Sequence, residues 1–390
     1  MHVLIVVENL PVPFDRRVWS EATTLREAGY RVTVICPRRE GLAAEETLSG
    51  VRVLRHPLTE ARGGARGYLR EYAEALFWET RLAARVWRED PFDVVHVCNP
   101  PDLLFLVAAP YKLLHGVRVV FDHHDLGPEL YRVKFGRRGL GHGALLAAER
   151  ATFATADLVI ATNESYAEVA RGRGRRPADR VHVVRSGPDL ATFRRRPRDP
   201  HAPFTIGYVG VIAEQDGVDL LVRAVADLAR RPGMPAHRTV VVGDGPSRAA
   251  VERLAIDLGV GDRVEFRGYR TGDALLESLS EFDVGVCPDP ANGYNEHCSM
   301  NKVLEYMAFA IPVAQFDLAE SRRSAGEAAA YARPNDPVDL ANVIAELVGD
   351  AARRAAMGAI GRARMEERLE WRHQAPRLLA AYATLRPRRS

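Results

Sequence analysis

The stretch MHVLIVVENLPVPFDRRVWSEATTLREAGYRVTVICP (1–37) decides the fold. Residues 2–7 (HVLIVV) are an unbroken apolar run of strand length that meets Glu8 and Pro11 at once. Asp15 then stands where a helix needs a side-chain acceptor for its unpaired amides, and Val18, Ala22, Leu25 and Ala28 recur on one helical face. Gly29 ends that helix and VTVICP (32–37) resumes the apolar run. A strand apolar on both faces, then an amphipathic helix, then another such strand, is the unit of a parallel sheet covered on both sides. The apolar start lacks a basic leader and is expected to be a buried strand rather than an export signal.

The same unit repeats outward. VRVLRH (51–56), a long helix over about 67–89, DVVHVCNP (93–100), VRVVFDHHD (117–125), DLVIATN (157–163) and VHVVRSG (181–187) extend the first sheet. The proline- and arginine-rich segment 192–203 has no periodicity and reads as a linker. FTIGYVG (204–210), TVVVGDG (239–245), RVEFRGY (263–269), DVGVCPD (283–289) and IPVAQFD (311–317) then alternate with helices near 217–231, 246–258, 271–280 and 301–310. The expectation is an α/β chain of two Rossmann-like domains facing a central cleft, 1–195 and 203–367. A C-terminal helix over about 368–390, with Trp371, Gln374, Leu378 and Tyr382 on one period, is expected to fold back on the first domain.

Composition narrows the function. In 390 residues, 54 basic and 51 acidic side chains leave a net charge of +3, which argues against a dedicated nucleic-acid binder. Cys36, Cys98, Cys287 and Cys298 form no C-x-x-C pair, so neither a zinc knuckle nor a redox motif is supported, and reduced thiols fit a cytoplasmic protein. The longest apolar run, Leu103 to Pro110, is far below the roughly 20 residues that span a bilayer. The basic segments 132–138 and 171–180 leave open a peripheral contact with the inner face of a membrane, beside the equally simple reading of solvated loops.

In open parallel sheets, ligands sit beyond the carboxyl ends of the strands. Here those ends carry Asn99, Pro100, Pro101 and Asp102 in one loop and Asp122, His123, His124 and Asp125 in the next. Adjacent residues on an extended chain point to opposite sides, so the H-H-D cluster is not expected to bind metal. GYVG (207–210) and VGDGP (242–246) offer small residues at strand ends but match neither the dinucleotide fingerprint nor a P-loop. The segment from Asn295 to Tyr331 concentrates Glu296, His297, Lys302, Glu305, Glu320 and Arg322 around one helix–strand pair, and Lys302 with Glu305 reads most simply as an exposed ion pair.

The whole chain resembles the retaining, GT-B-fold glycosyltransferases of the bacterial family 4 type, in particular a subgroup of polysaccharide and O-antigen synthesis. The resemblance rests on PVPFDRRVWSEATTLREAGYRVTVICP (11–37), NPPDLLFLVAAPYKLL (99–114), FDHHDLGPELY (121–131), ATNES (161–165), GYVG with QDGVD (207–219), GDGP (243–246) and NKVLEYMA (301–308). It implies that Glu305 binds the donor ribose and that an acid eight residues earlier addresses the donor sugar; that place is His297, with Glu296 displaced by one. Relatives carry an arginine and a lysine at the places of Val211 and Asp216, and often paired glycines in the first loop. The resemblance further implies a nucleotide-diphosphate-sugar donor, a hydroxyl acceptor that is lipid-linked or soluble, no cofactor and no metal. His124, Glu296 and His297 are the expected catalytic residues. Gly210, Val211, Gly243, Gly245, Ser299, Met300, Asn301, Lys302, Glu305 and Arg322 are expected on the donor side, with Lys302 and Arg322 on the diphosphate. Asn99, Asp102, Asp125 and Arg16 are expected on the acceptor side. A sugar-nucleotide epimerase and a nucleotide-sugar-binding protein without turnover are the alternatives; a dehydrogenase lacks its glycine fingerprint.

Overall fold

Runs of Val, Ile and Leu with no polar face can be satisfied only at the centre of a sheet, and the computed structural model places them there. It describes residues 1–59, 64–136, 139–197 and 201–385. Arg137 and Arg138 of the basic segment, 198–200 of the linker and 386–390 of the C-terminal helix lie outside the described residues.

By its internal contacts the chain divides into Met1–Ser186 with Gln374–Ser390, and Gly187–His373. The first unit contains strands β1 (His2–Val7), β2 (Arg31–Pro37), β3 (Glu45–Leu48), β4 (Val51–His56), β5 (Val94–Cys98), β6 (Arg118–His123), β7 (Leu158–Ala161) and β8 (Val181–Val183). They form one sheet in the order β3-β4-β2-β1-β5-β6-β7-β8. Every pair is parallel except β3 with β4. The covering helices are α1 (Arg16–Glu27), α2 (Gly64–Glu89), α3 (Phe105–His115), α4 (Gly127–Phe135), α5 (Leu140–Thr155) and α6 (Glu164–Arg171). Asp15 caps α1 by accepting from Val18 N at 3.0 Å. Val18, Ala22 and Leu25 are fully buried; Ala28, expected on the same face, lies past the last turn and is exposed.

The second unit contains β9 (Phe204–Val209), β10 (His237–Val242), β11 (Val264–Phe266), β12 (Val284–Cys287), β13 (Val313–Phe316) and β14 (Ala329–Ala332). Their order is β11-β10-β9-β12-β13-β14, parallel throughout. Helices α7 (Val218–Ala229), α8 (Arg248–Asp257), α9 (Gly272–Ser280), α10 (Asn301–Ala308), α11 (Ala319–Ala325), α12 (Pro337–Gly349) and α13 (Ala351–Arg364) cover it. One core gathers Ile206, Leu221, Val241 and Leu340, another Val240, Phe282, Leu304 and Tyr306: Val240 and Val241 are adjacent on β10 and serve opposite faces, as the strand's two-residue period requires. The last helix, α14 (Trp371–Ala383), buries Gln374, Leu378 and Tyr382, and its residues from Gln374 onward belong to the first unit.

Strand order locates the ligand crevices. The first sheet reverses direction of growth between β1 and β5, the second between β9 and β12. In an open parallel sheet such a reversal leaves a crevice outside the carboxyl ends. Glu8 and Asn99 follow the strands at the first reversal, Gly210 and Pro288 those at the second.

Candidate active site

In the first unit the carboxyl ends of β5 and β6 are laced together by Asn99. Its Nδ2 donates to Asp102 Oδ1 at 2.9 Å and to the Asp125 carbonyl at 2.7 Å, while its Oδ1 accepts from His124 N at 2.7 Å and Asp125 N at 3.2 Å. Asn99 therefore fixes the backbone of the two expected loops, and its side chain is buried in doing so. Asp102 is buried too, and burial with Glu149 nearby pushes its carboxyl up to about 8.

Beneath His124 lies a charged network. Arg17, in the first turn of α1 and buried, forks onto Asp122 through Nε–Oδ2 at 2.9 Å and Nη2–Oδ1 at 2.6 Å. Its Nη1 donates to the Val184 carbonyl at 2.7 Å and to Ser186 Oγ at 3.1 Å. His124 Nε2 meets Asp122 Oδ2 in a short contact. Against the cost of full burial, Arg17 and His124 hold the Asp122 carboxyl well below the ordinary aspartate range. Glu21, one turn along α1 and 3.2 Å from Arg17 Nη2, is pushed the other way by burial and by Asp122. His96 on β5 completes the network, its Nδ1 2.6 Å from Tyr382 Oη of α14.

The two adjacent histidines separate as an extended chain demands. His123 is fully buried among Phe121, Phe153 and Tyr166. Burial and the nearby Arg173 lower its pKa to about 3, so it stays neutral. His124 keeps part of its side chain in solvent. Arg16, expected on the acceptor side, is exposed at the start of α1; the arginine that reaches His124 is Arg17, which the sequence reading passed over. Its signal was available, because Arg17 and Glu21 are four apart beside the buried stripe of Val18, Ala22 and Leu25.

His96, Cys98 and Asp122 bring one possible ligand atom each within 4.8 Å of one another. The guanidinium already occupies Asp122, and burial with Asp122 raises the Cys98 thiol well above its ordinary pKa. The positive partner of this group is Arg17.

In the second unit, three glycines of the donor-side set make a floor free of side chains. A Cβ on Gly243 would lie 1.8 Å from the Gly210 carbonyl oxygen, and one on Gly245 2.4 Å from that of Ile212. Gly210 and Gly243 adopt φ of +152° and +147°, a region that L side chains rarely enter. Val211, next to this floor, is 55% exposed, and its carbonyl accepts from Tyr208 Oη at 2.6 Å. Helix α10 starts from Met300 with no side-chain capping bond and Asn301 exposed, and the first amides of a helix have no intrahelical acceptor.

Lys302 corrects the simple ion-pair expectation. It is buried, and its Nζ donates to both oxygens of Asp289 at 2.9 and 2.8 Å rather than to Glu305, with Asp216 at 3.9 Å and the Tyr208 ring centre at 5.0 Å. Despite the cost of burial, Asp289 raises its pKa well above normal. Its Cε would touch a Cβ on Gly210 at 3.1 Å, so the charge lies directly under the floor. Glu305 is buried one turn further along α10. Arg322 is largely exposed, held to Asp317 (Nη2–Oδ2 2.6 Å) and laid over Tyr331 at 4.3 Å. Glu296 accepts from Ala319 N at 3.1 Å at the start of α11, and Ser299 Oγ donates to the buried Glu320 at 2.9 Å. His297 closes a short 3₁₀ turn and is half-buried.

Two sheets of this strand order, parallel but for β3 with β4, with polar loops at their carboxyl ends, give the chain the GT-B fold. Residues 15–192 match the model of "Glycosyltransferase Family 4" and residues 203–350 that of "Glycosyl transferases group 1". Each unit thus carries a match to a glycosyltransferase family model, the first to that of family 4. The chain is similar to the D-inositol 3-phosphate glycosyltransferase of Stackebrandtia nassauensis, 34% identical over 62% of this chain and 57% of that one. It is also similar to D-inositol 3-phosphate glycosyltransferase 1 of Catenulispora acidiphila, 29% identical over 75% and 72%. The match thus spans less than two thirds of the Stackebrandtia protein. Among solved structures, sucrose-phosphate synthase of Thermosynechococcus elongatus superposes with a TM-score of 0.81 at 19% identity, covering 98% of each chain. Anabaena HepE in complex with UDP-glucose gives 0.74 at 16% identity, covering 99% of this chain and all of that one. Among the described residues no helix is long and apolar enough to cross a membrane.

Proposed function

We propose that the protein transfers a sugar from a nucleoside-diphosphate sugar to a hydroxyl acceptor, with retention at the anomeric carbon and without a metal. The observation that carries this is the glycine floor of Gly210, Gly243 and Gly245 beside the uncapped start of α10, which admits a bulky anion where side chains would block it. The Anabaena neighbour was solved with UDP-glucose, and a uridine-type donor is the natural first candidate. Glu305 takes the ribose hydroxyls. The diphosphate takes the α10 amides with the charges of Lys302 and Arg322, and the sequence holds no Asp-x-Asp triplet of the metal-binding kind. His297 and the backbone to Ser299 address the sugar, while Glu296 supports them from the start of α11. His124 stands at the reaction centre, and Asn99, Asp102, Asp125 and Arg16 shape the acceptor side.

In the step itself the bond from C1 to the phosphate oxygen breaks as the acceptor oxygen bonds to C1 on the same face. The acceptor proton passes to an oxygen of the departing diphosphate. The developing negative charge there is what preorganised amides and cationic side chains stabilise. The peripheral membrane contact that segments 132–138 and 171–180 leave open goes with a lipid-linked acceptor and is not needed for a soluble one.

The test has two parts. A panel of UDP-, GDP-, TDP- and ADP-sugars is screened for thermal stabilisation, since a ligand that binds only the folded state raises its melting temperature. The stabilising donor is then used to measure sugar transfer by wild type and His124→Ala. The expected outcome is one class of stabilising donor, transfer with retained anomeric configuration in the presence of EDTA, and a large loss of kcat at unchanged melting temperature in the variant. Release of free epimerised sugar nucleotide without an acceptor would overturn the reading.

A further inference from the structure

We propose that Arg17 is a positioning residue which works through Asp122 to hold His124 in a single tautomer, Nε2 protonated and Nδ1 left for the substrate; this rests on His124 standing at the reaction centre. The nearest neighbour of His124 Nε2 is Asp122 Oδ2. An ionised carboxylate can only accept hydrogen bonds, so an unprotonated Nε2 would set lone pair against lone pair at that separation. The proton therefore belongs on Nε2. Arg17 Nε–H is shared between that carboxylate oxygen at 2.9 Å and His124 Nε2 at 3.0 Å; with the ring proton on Nε2 it turns to the carboxylate alone, and one oxygen gathers both donors.

The arrangement depends on an arginine in particular. The guanidinium uses Nε and Nη2 for the two oxygens of Asp122 and has Nη1 left for Val184 O and Ser186 Oγ. A planar fork makes these bonds together, and a lysine ammonium at the same place cannot reproduce the set. Competing neighbours do not satisfy Asp122 in the same way, since His96 Nε2 stays 3.7 Å from it. The His124 backbone is held separately, by Asn99 Oδ1 at 2.7 Å. Main chain and ring are thus fixed by different partners, and ring orientation can be altered without moving the loop. His124 keeps part of its side chain in solvent, and Nδ1 is the ring nitrogen with no carboxylate against it. It accepts a hydrogen bond from a sugar or acceptor hydroxyl when the ring is neutral.

The experiment reads the tautomer directly. Protein labelled with ¹⁵N in its histidine rings is examined by two-bond ¹⁵N–¹H correlation with the imidazole neutral, and the His124 signals are assigned by their loss in His124→Gln. Wild type is expected to show the Nε2–H form alone. Arg17→Lys is expected to show a mixture and to lose kcat roughly ten- to a hundredfold, the scale of one misdirected hydrogen bond to a reacting group, with donor KM within about threefold of wild type. Where Arg17→Lys does not fold, Asp122→Asn gives the same readout: its amide can donate to Nε2, so the Nδ1–H form is expected to appear. An Nδ1–H tautomer in wild type, or a wild-type spectrum in the folded variant, overturns the inference. A changed tautomer with unchanged kcat leaves Arg17 as the positioning residue and removes His124 from the reaction.

Discussion

Lys302 and Arg322 carry the same charge toward the proposed diphosphate, yet their removal exposes different things. Arg322 is on the surface with Asp317, which water can solvate once the partner is gone. Lys302 is buried on Asp289 with Asp216 close by, and removing one partner of a buried pair costs on the order of 3–5 kcal/mol. Arg322→Gln is therefore expected to weaken nucleoside-diphosphate binding by about 1.5–3 kcal/mol with the melting temperature unchanged. Lys302→Met is expected to lower both. Calorimetry with the diphosphate and with the bare nucleoside separates the cases, because only the former presents phosphate oxygens. Equal loss of both ligands in Arg322→Gln removes it from the phosphate site. At this scale the sequence placed Asn99 and His124 at strand ends and Glu305 on a helix, as the structure has them, while their roles toward a substrate belong to the proposal. Arg17 left only its four-residue spacing to Glu21 as a signal, and Asp289 and Tyr382 left none for their contacts, because the partners lie 105, 13 and 286 residues away.

Among elements, the loops after β9 and β10 behave as one piece. Gly243 N donates to Gly268 O, Gly210 N to Val242 O and Ile212 N to Asp244 O, so the backbones interlock with no side chain between them. Gly243→Ala would force a methyl into the Gly210 carbonyl and an L residue into a left-handed region, each costing of order 1–3 kcal/mol. The expected outcome is loss of donor-induced thermal stabilisation together with a fall in melting temperature, whereas Gly293→Ala, with open space around its Cβ, should change neither. Normal donor binding by Gly243→Ala would show that the floor is not part of the site. The strands that frame these loops were legible because Val and Ile runs admit little else. β3 (EETL) has two adjacent glutamates and a single large apolar residue at an exposed antiparallel edge, and β14 (AAYA) is mostly alanine. Neither has the β-branched density that marks a buried strand, and both are fixed by their neighbours rather than by propensity.

For the whole molecule, buried titrating groups set a pH window. Burial lifts Glu8, with Glu71 adding to it, and Glu79, with Glu8 adding to it, to about 8, and Asp102 likewise. Such carboxyls stay protonated in the fold while the unfolded chain has released its protons, so stability is full below pH ~4.5 and falls as pH rises toward about 8. His123 acts from the other side: its depressed pKa means that only the unfolded chain takes up the proton, and stability falls as pH drops below ~6.5. Asp122, held low, adds a loss in stronger acid. The melting temperature is therefore expected to peak in mildly acidic buffer and decline through pH 8. Glu79→Gln, which cannot ionise, should flatten the alkaline limb by up to about 5 kcal/mol, the equivalent of the shift. A pH profile of melting temperature identical to wild type would refute this account of Glu79.

One consequence concerns synthesis on the ribosome. Gly187–His373 is continuous in the chain and can collapse as it emerges, but the first unit is finished only by residues beyond Gln374. His96 meets Tyr382 across 286 residues. At about 5–20 residues per second, the nascent chain carries that histidine for roughly a quarter of a minute to a minute before its tyrosine is made. During that interval the first sheet, with all its strands translated by Val183 but without α14 against it, is the species a chaperone would meet.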